Sequence, residues 1–151
     1  MQYKYESIIG DIYISASENY LLSVDFQAQG NSIFGKNEII KETIKQLNEY
    51  FSFKRKIFDL PLNPEGTDFQ KKVWSILQTI PYGETRSYKE IAISIGKSKA
   101  YRAVGNANNK NPIKIIIPCH RVIGTNNKLI GYAGGINIKQ KLINTEKLFI
   151  N

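Results

Sequence analysis

Apolar residues in this chain of 151 residues repeat at two different periods, and the switch between them restricts it to an α+β fold. From Gln2 to Phe26 the period is two: Ile12, Ile14 and Ala16 alternate with Tyr13, Ser15 and Ser17. Glu18-Asn19 supplies a hairpin turn into a strand over 21–26. Residues 27–36, with two glycines and little periodicity, read as a loop. Ile39, Ile40, Ile44, Leu47 and Phe51 then recur at helical spacing, with charges on the other face. A further strand is predicted over 54–60, and Pro61–Gly66 reads as a linker. The expected organisation is a small sheet-and-helix domain over 1–62 and a second domain over 63–151.

The second domain is mostly helical. Thr67-x-x-Gln70 has the form of a capping box, and Phe69, Val73, Ile76, Leu77 and Ile80 make one apolar stripe. At that spacing Trp74 belongs to the core. Ser87-x-x-Glu90 opens a shorter helix that turns Tyr88, Ile91, Ala92 and Ile95 inward, and Gly96 closes it. Ser98 is the predicted cap of the next helix, from Lys99 to about Asn108. Two short helices around a glycine turn read as a helix-turn-helix, a shape that serves DNA binding and plain bundle packing alike.

Charge tips that balance. The net charge is +8, but residues 1–75 carry 9 Lys/Arg against 10 Asp/Glu, whereas residues 76–151 carry 12 against 3. A coding bias toward lysine would enrich both halves. A basic half is the footprint of a nucleic-acid binder, and Lys99, Arg102, Asn106, Asn108 and Lys110 suit phosphates and bases. No apolar run approaches the roughly 20 residues of a membrane span, and the N-terminus lacks a signal-peptide pattern. A single cysteine cannot form an internal disulfide, and a reactive one needs a reducing compartment, so the cytoplasm is expected.

That cysteine stands next to the single histidine, in Ile115-Ile116-Ile117-Pro118-Cys119-His120-Arg121-Val122. A strand is expected over 113–117, and Pro118 ends it because it has no N–H to donate. An imidazole that accepts the thiol proton turns Cys119 into a nucleophile. The alternative is an inert, packed cysteine. Further on, Asn126-Asn127-Lys128 makes a turn, Gly131–Gly135 a flexible loop, and Asn137 caps a last helix with Ile138, Leu142, Ile143 and Phe149 inward. Glu146, near its end, is a carboxylate available to orient His120.

Pro-Cys-His-Arg-Val resembles the active-site signature of the methylated-DNA–protein cysteine methyltransferases, or 6-O-alkylguanine-DNA alkyltransferases. The resemblance runs from Ser7 to about Glu146 through Phe58-Asp59-Leu60-Pro61-Leu62, Phe69-Gln70-Lys71-Lys72-Val73-Trp74, Ile80-Pro81-Tyr82-Gly83-Glu84-Thr85, Arg102-Ala103-Val104-Gly105 and Asn111-Pro112. It implies a small N-terminal α/β domain and a helical domain with a winged-helix-like helix-turn-helix. It also implies stoichiometric repair, in which an alkyl group passes from 6-O-alkylguanine, and in some members 4-O-alkylthymine, to the protein's own cysteine. Carried over, Cys119 is the acceptor, His120 takes its proton through a water, Glu146 holds His120, and Asn111 braces the turn. Tyr88 donates to the leaving base, and Arg102 fills the stack vacated by the flipped nucleotide. Tyr132, Ala133, Val122 and Gly134 line the base pocket, and Ser98, Lys99, Asn106, Asn108, Lys110 and Arg121 complete the DNA-binding set. No metal or cofactor is implied, and the partner is double-stranded DNA carrying alkylated bases, met without any membrane by a monomer, with cooperative binding along DNA left open.

Three departures stand out against the resemblance. Ala133 replaces a serine of some relatives, leaving only a backbone N–H for the base oxygen. Tyr101 is bulkier than the small residue often found beside the arginine. One cysteine and one histidine cannot build the N-terminal zinc site of some relatives. Two rival readings stay open at this point: a lesion sensor or regulator that binds DNA without transfer, and a cysteine hydrolase.

Overall fold

The computed structural model describes residues 1–30, 32–125, 128–132 and 134–150. It divides into two compact units, Met1–Glu65 and Gly66–Asn151. In the first, β1 (Gln2–Ser7), β2 (Gly10–Ala16) and β3 (Leu21–Asp25) form an antiparallel sheet in the order β1-β2-β3. Ile12, Ile14 and Val24 are fully buried, against Ile40, Leu47 and Tyr50 of α1 (Glu38–Phe51). Each such side chain contributes roughly 1.5–3 kcal/mol by leaving water. Ser15 falls inside rather than outside, because its hydroxyl pairs with that of Ser23 at 2.5 Å and so is satisfied there. Asn37 caps α1 by accepting from the Ile40 N–H at 2.9 Å.

The strand expected over 54–60 does not form. Its backbone is held by a side chain instead of a neighbouring strand. Gln46, 2% exposed, donates to the Asp59 carbonyl and accepts from the Asp59 N–H, both at 2.9 Å. Beyond it Leu62 bridges to Leu21 at the outer side of β3.

The second unit is built on α2 (Asp68–Leu77), α3 (Tyr88–Ile95) and α4 (Tyr101–Asn109), which pack on one another. Both predicted capping boxes form, Thr67 with Gln70 and Ser87 with Glu90. Trp74 is the core anchor, and its Nε1–H donates to the Ala107 carbonyl at 2.8 Å. Gly96, at φ 83°, ends α3 in the left-handed conformation that glycine adopts without steric cost. α4 starts later than expected. Its cap position is Ala100, not Ser98, and no side chain caps it. Arg86–Ser87 (β4) pairs in parallel with Val122–Ile123 (β5), which ties the start of α3 to the stretch after the cysteine.

Residues 113–117 are not a strand either. They form a tight turn, Ile116 N–H to Lys114 O at 2.9 Å and Ile117 N–H to Ile113 O at 3.0 Å, with Ile115 at φ 73°. A β-branched residue there costs about 1–3 kcal/mol and persists only when its surroundings enforce it. The last helix, α5 (Ile136–Leu148), is preceded by Gly135 at φ 97°, so Asn137 lies inside its first turn and does not cap it. Leu142 and Ile143 point inward, whereas Phe149, beyond the helix end, is exposed. The turn expected at 126–127 lies outside the described residues.

Replacing Gln46 by Leu should strip Asp59 of both partners and lower stability by about 2 kcal/mol. A reduced urea midpoint and faster hydrogen exchange of the Asp59 amide would register the loss.

Candidate active site

Pro118 and the Cys119–Arg121 turn of 3-10 helix place three consecutive side chains in the interior. Asn111 brackets the preceding turn. Its Nδ2 donates to the Ile117 carbonyl at 2.8 Å, and its Oδ1 accepts from the Ile113 N–H at 2.9 Å. Cys119 is 2% exposed, and burial pushes its thiol above the ordinary value, against the Asn111 hydrogen bond and the charges of Lys114 and Lys139. At rest the sulfur is therefore a thiol, and it needs a base.

His120 is the titratable group next to it in sequence. It is fully buried, and its Nε2 lies 2.7 Å from Glu146 Oε2 of α5. Burial alone would raise the Glu146 carboxyl, but His120 and Arg121 together hold it well below the carboxylate range. An ionised carboxylate only accepts, so the hydrogen-bond pattern assigns the imidazole proton to Nε2. Burial keeps the ring neutral by lowering its pKa, more than Glu146 raises it. Nδ1 then carries a lone pair in the interior without a protein partner. It is the atom available to take a proton, and Glu146 would stabilise the resulting imidazolium.

Arg121 locks the carboxylate. Its Nε donates to Glu146 Oε1 at 2.7 Å, one Nη to Oε2 at 3.1 Å and the other to the Ile80 carbonyl at 2.7 Å. This corrects the expectation that Arg121 contacts DNA: at 6% exposure its fork is spent on the ion pair. Asn108 is corrected likewise. It is 1% exposed and donates to the Cys119 carbonyl at 3.3 Å. The other basic and polar residues stay outside. Ser98 and Lys99 sit in the exposed turn between α3 and α4, while Arg102, Asn106 and Lys110 lie exposed along and just past α4. Lys97 joins them there. Tyr101 is 38% exposed, with the Lys89 ammonium 5.7 Å from its ring centre.

Tyr88 is half-buried at the start of α3, and its hydroxyl donates to the Ile130 carbonyl at 2.8 Å. Burial, then the nearby Cys119 charge, push it up to about 12 despite a hydrogen bond to Asn108, so it remains a donor at neutral pH. The same carbonyl accepts from Lys139 Nζ at 3.0 Å. Lys139 is fully buried, and burial lowers it to about 8. Sequence reasoning missed both Lys139 and Lys114. Signals existed: Lys139 shares the spacing of Leu142, Ile143 and Glu146 on α5, and Lys114 interrupts a run of isoleucines. Val122 is fully buried, Tyr132 and Gly134 are half-buried beyond it, and Ala133 lies outside the described residues.

Fold and site thus define a helix-turn-helix protein with a buried thiol next in sequence to a buried histidine–glutamate pair. Residues 2–64 match the 6-O-methylguanine DNA methyltransferase ribonuclease-like domain, and residues 68–148 match the DNA-binding domain of the same proteins. The methylated-DNA–protein-cysteine methyltransferase of Methanosarcina barkeri is 54% identical over 148 residues, covering 94% of each chain. The constitutive one of Bacillus subtilis is 43% identical over 95% of this chain and 93% of its own. The crystal structure of Mycobacterium tuberculosis OGT in complex with DNA superposes with a TM-score of 0.91 at 45% identity, over 98% of this chain and 93% of that one. The chain belongs to the 6-O-methylguanine DNA methyltransferase family.

The ion pair makes stability depend on pH. Glu146 sits below its ordinary 4.5 and His120 below its ordinary 6.5, so each contributes stability that is complete above that value and lost below it. Unfolding free energy should fall as pH drops below 6.5 and more steeply below 4.5, in urea titrations across pH. Arg121→Met should cost about 3 kcal/mol, since it removes one partner of a buried pair, yet leave DNA affinity nearly unchanged. A large affinity loss in the folded variant would return Arg121 to the DNA face.

Proposed function

We propose that the protein repairs DNA by moving the alkyl group of 6-O-alkylguanine, and of 4-O-alkylthymine where that base is presented, onto Cys119. The observation that carries this reading is the lone thiol buried in a braced turn beside a neutral imidazole whose Nε2 is held by Glu146. His120 Nδ1 takes the thiol proton through a water. The thiolate then attacks the alkyl carbon in line, a sulfur–carbon bond forms, and the carbon–oxygen pair leaves with the base. Tyr88 answers the negative charge that develops on that base by donating to it. The product thioether is inert to His120, so each molecule acts once. Arg102 occupies the stack vacated by the extruded nucleotide, while Ser98, Lys99, Asn106 and Lys110 hold the duplex. Tyr132, Ala133, Val122 and Gly134 frame the base. The protein acts as a monomer in the cytoplasm without a metal or diffusible cofactor, because the lesion itself supplies the alkyl group.

After incubation with duplex DNA containing 6-O-methylguanine, the mass of the protein should rise by one methyl group, located on Cys119. Cys119→Ser should remain unmodified while binding the same DNA. An unchanged wild-type mass would favour a lesion sensor instead.

Arg102→Ala separates extrusion from chemistry. Unstacking a base costs a few kcal/mol, and losing the residue that fills the gap restores part of it. Transfer from duplex DNA should slow by about a hundredfold, whereas transfer from the free alkylated base should hardly change. Equal losses on both substrates would assign Arg102 to the pocket or the fold.

A further inference from the structure

The mechanism above leaves unused the two lysines buried beside the nucleophile. Lys114 is 5% exposed and lies in the strained turn before Pro118, with Nζ donating to the Asn111 carbonyl at 2.9 Å. Asn111 also holds Ile113 and Ile117, and the Cys119 N–H donates to that same Ile117 carbonyl at 2.8 Å, so one residue anchors both the ammonium and the turn that carries the sulfur. Lys139 approaches from α5, fully buried and hydrogen-bonded to Ile130.

Moving a proton from Cys119 to His120 creates an anion and a cation in one dry site. A fixed positive charge that acts on both helps the first and opposes the second. Lys139 is such a charge: it favours a charged Cys119 and disfavours a charged His120. Arg121 also opposes a charged His120, although Glu146 offsets it. Lys114 favours the thiolate. The remaining group facing the sulfur is Tyr88 of α3, an uncharged donor at neutral pH.

We propose that Lys114 is a positioning residue for the transfer: its buried ammonium, hung from Asn111, is the counter-charge against which the Cys119 thiolate forms. The idea deepens the repair reading and rests on Cys119 being the acceptor, but its first test does not need DNA. Cys119 is the only cysteine in the chain, so ultraviolet thiolate absorbance, corrected with Cys119→Ser, reports that sulfur alone.

Lys114→Gln keeps a donor for the Asn111 carbonyl and deletes the charge. Its thiolate should appear at higher pH than in the wild-type protein, and Lys114→Arg should titrate near wild type. Methyl transfer by Lys114→Gln should be roughly three- to tenfold slower at neutral pH. The deficit should close as pH rises and then reverse slightly, because a more basic thiolate is the better nucleophile. Should Lys114→Gln fail to fold, Lys114→Met carries the same titration. An unmoved thiolate titration, or a rate loss equal at every pH, would overturn the proposal. A shifted titration in a protein whose wild type transfers no methyl would overturn the repair reading while leaving the charge effect on the sulfur standing.

Discussion

A single buried carboxylate, Glu146, organises the catalytic half of this molecule. Taking a carboxylate out of water costs several kcal/mol unless cations and donors replace the lost hydration. Here His120 and both arms of Arg121 do so, at 2.7 to 3.1 Å. Because Arg121 also reaches the Ile80 carbonyl, the same pair connects α5 to the end of α2 and to the cysteine turn. One interaction thereby fixes the tautomer of His120 and ties the last helix to the cysteine turn.

The cysteine turn shows how local strain is held in place. Ile115 adopts a conformation that isoleucine avoids, buried between the bond Asn111 donates to Ile117 and the one it accepts from Ile113. The turn costs conformational energy and returns a buried sulfur next in sequence to His120. A regular strand over 113–117 would have left Asn111 nothing to bracket.

The helix-turn-helix separates two tasks on one short helix. Val104, Ala107 and Asn108 face the core, where Trp74 and the cysteine turn meet them, while Arg102, Asn106 and Lys110 remain outside. A period of 3.6 divides any nine-residue helix into such faces. Asn108, four residues after the buried Val104, shares its face, whereas Asn106, two residues after it, lies opposite.

What the sequence determined by itself was local or chemically unique. The capping boxes at Thr67 and Ser87, the stop at Gly96 and the amphipathic stripe of α1 are set within a few residues of chain, so hydrogen-bond and hydrophobic periodicity reveal them. The pairing of the one cysteine with the one histidine, and the nearby Glu146, were legible because those side chains have few other uses together. Tertiary structure decided what depends on distant partners. Residues 54–60 and 113–117 have strand-like composition, but Gln46 and Asn111 offer their backbones side-chain amides in place of a neighbouring strand. Arg121 and Asn108 look like surface residues until Glu146 and the cysteine carbonyl claim them. Lys114 and Lys139 counted in the sequence as two charges of a basic half. Only the packed interior, where each cation needs an anion or a dipole and screening by water is gone, buries Lys114 against the Asn111 carbonyl and Lys139 against the Ile130 carbonyl.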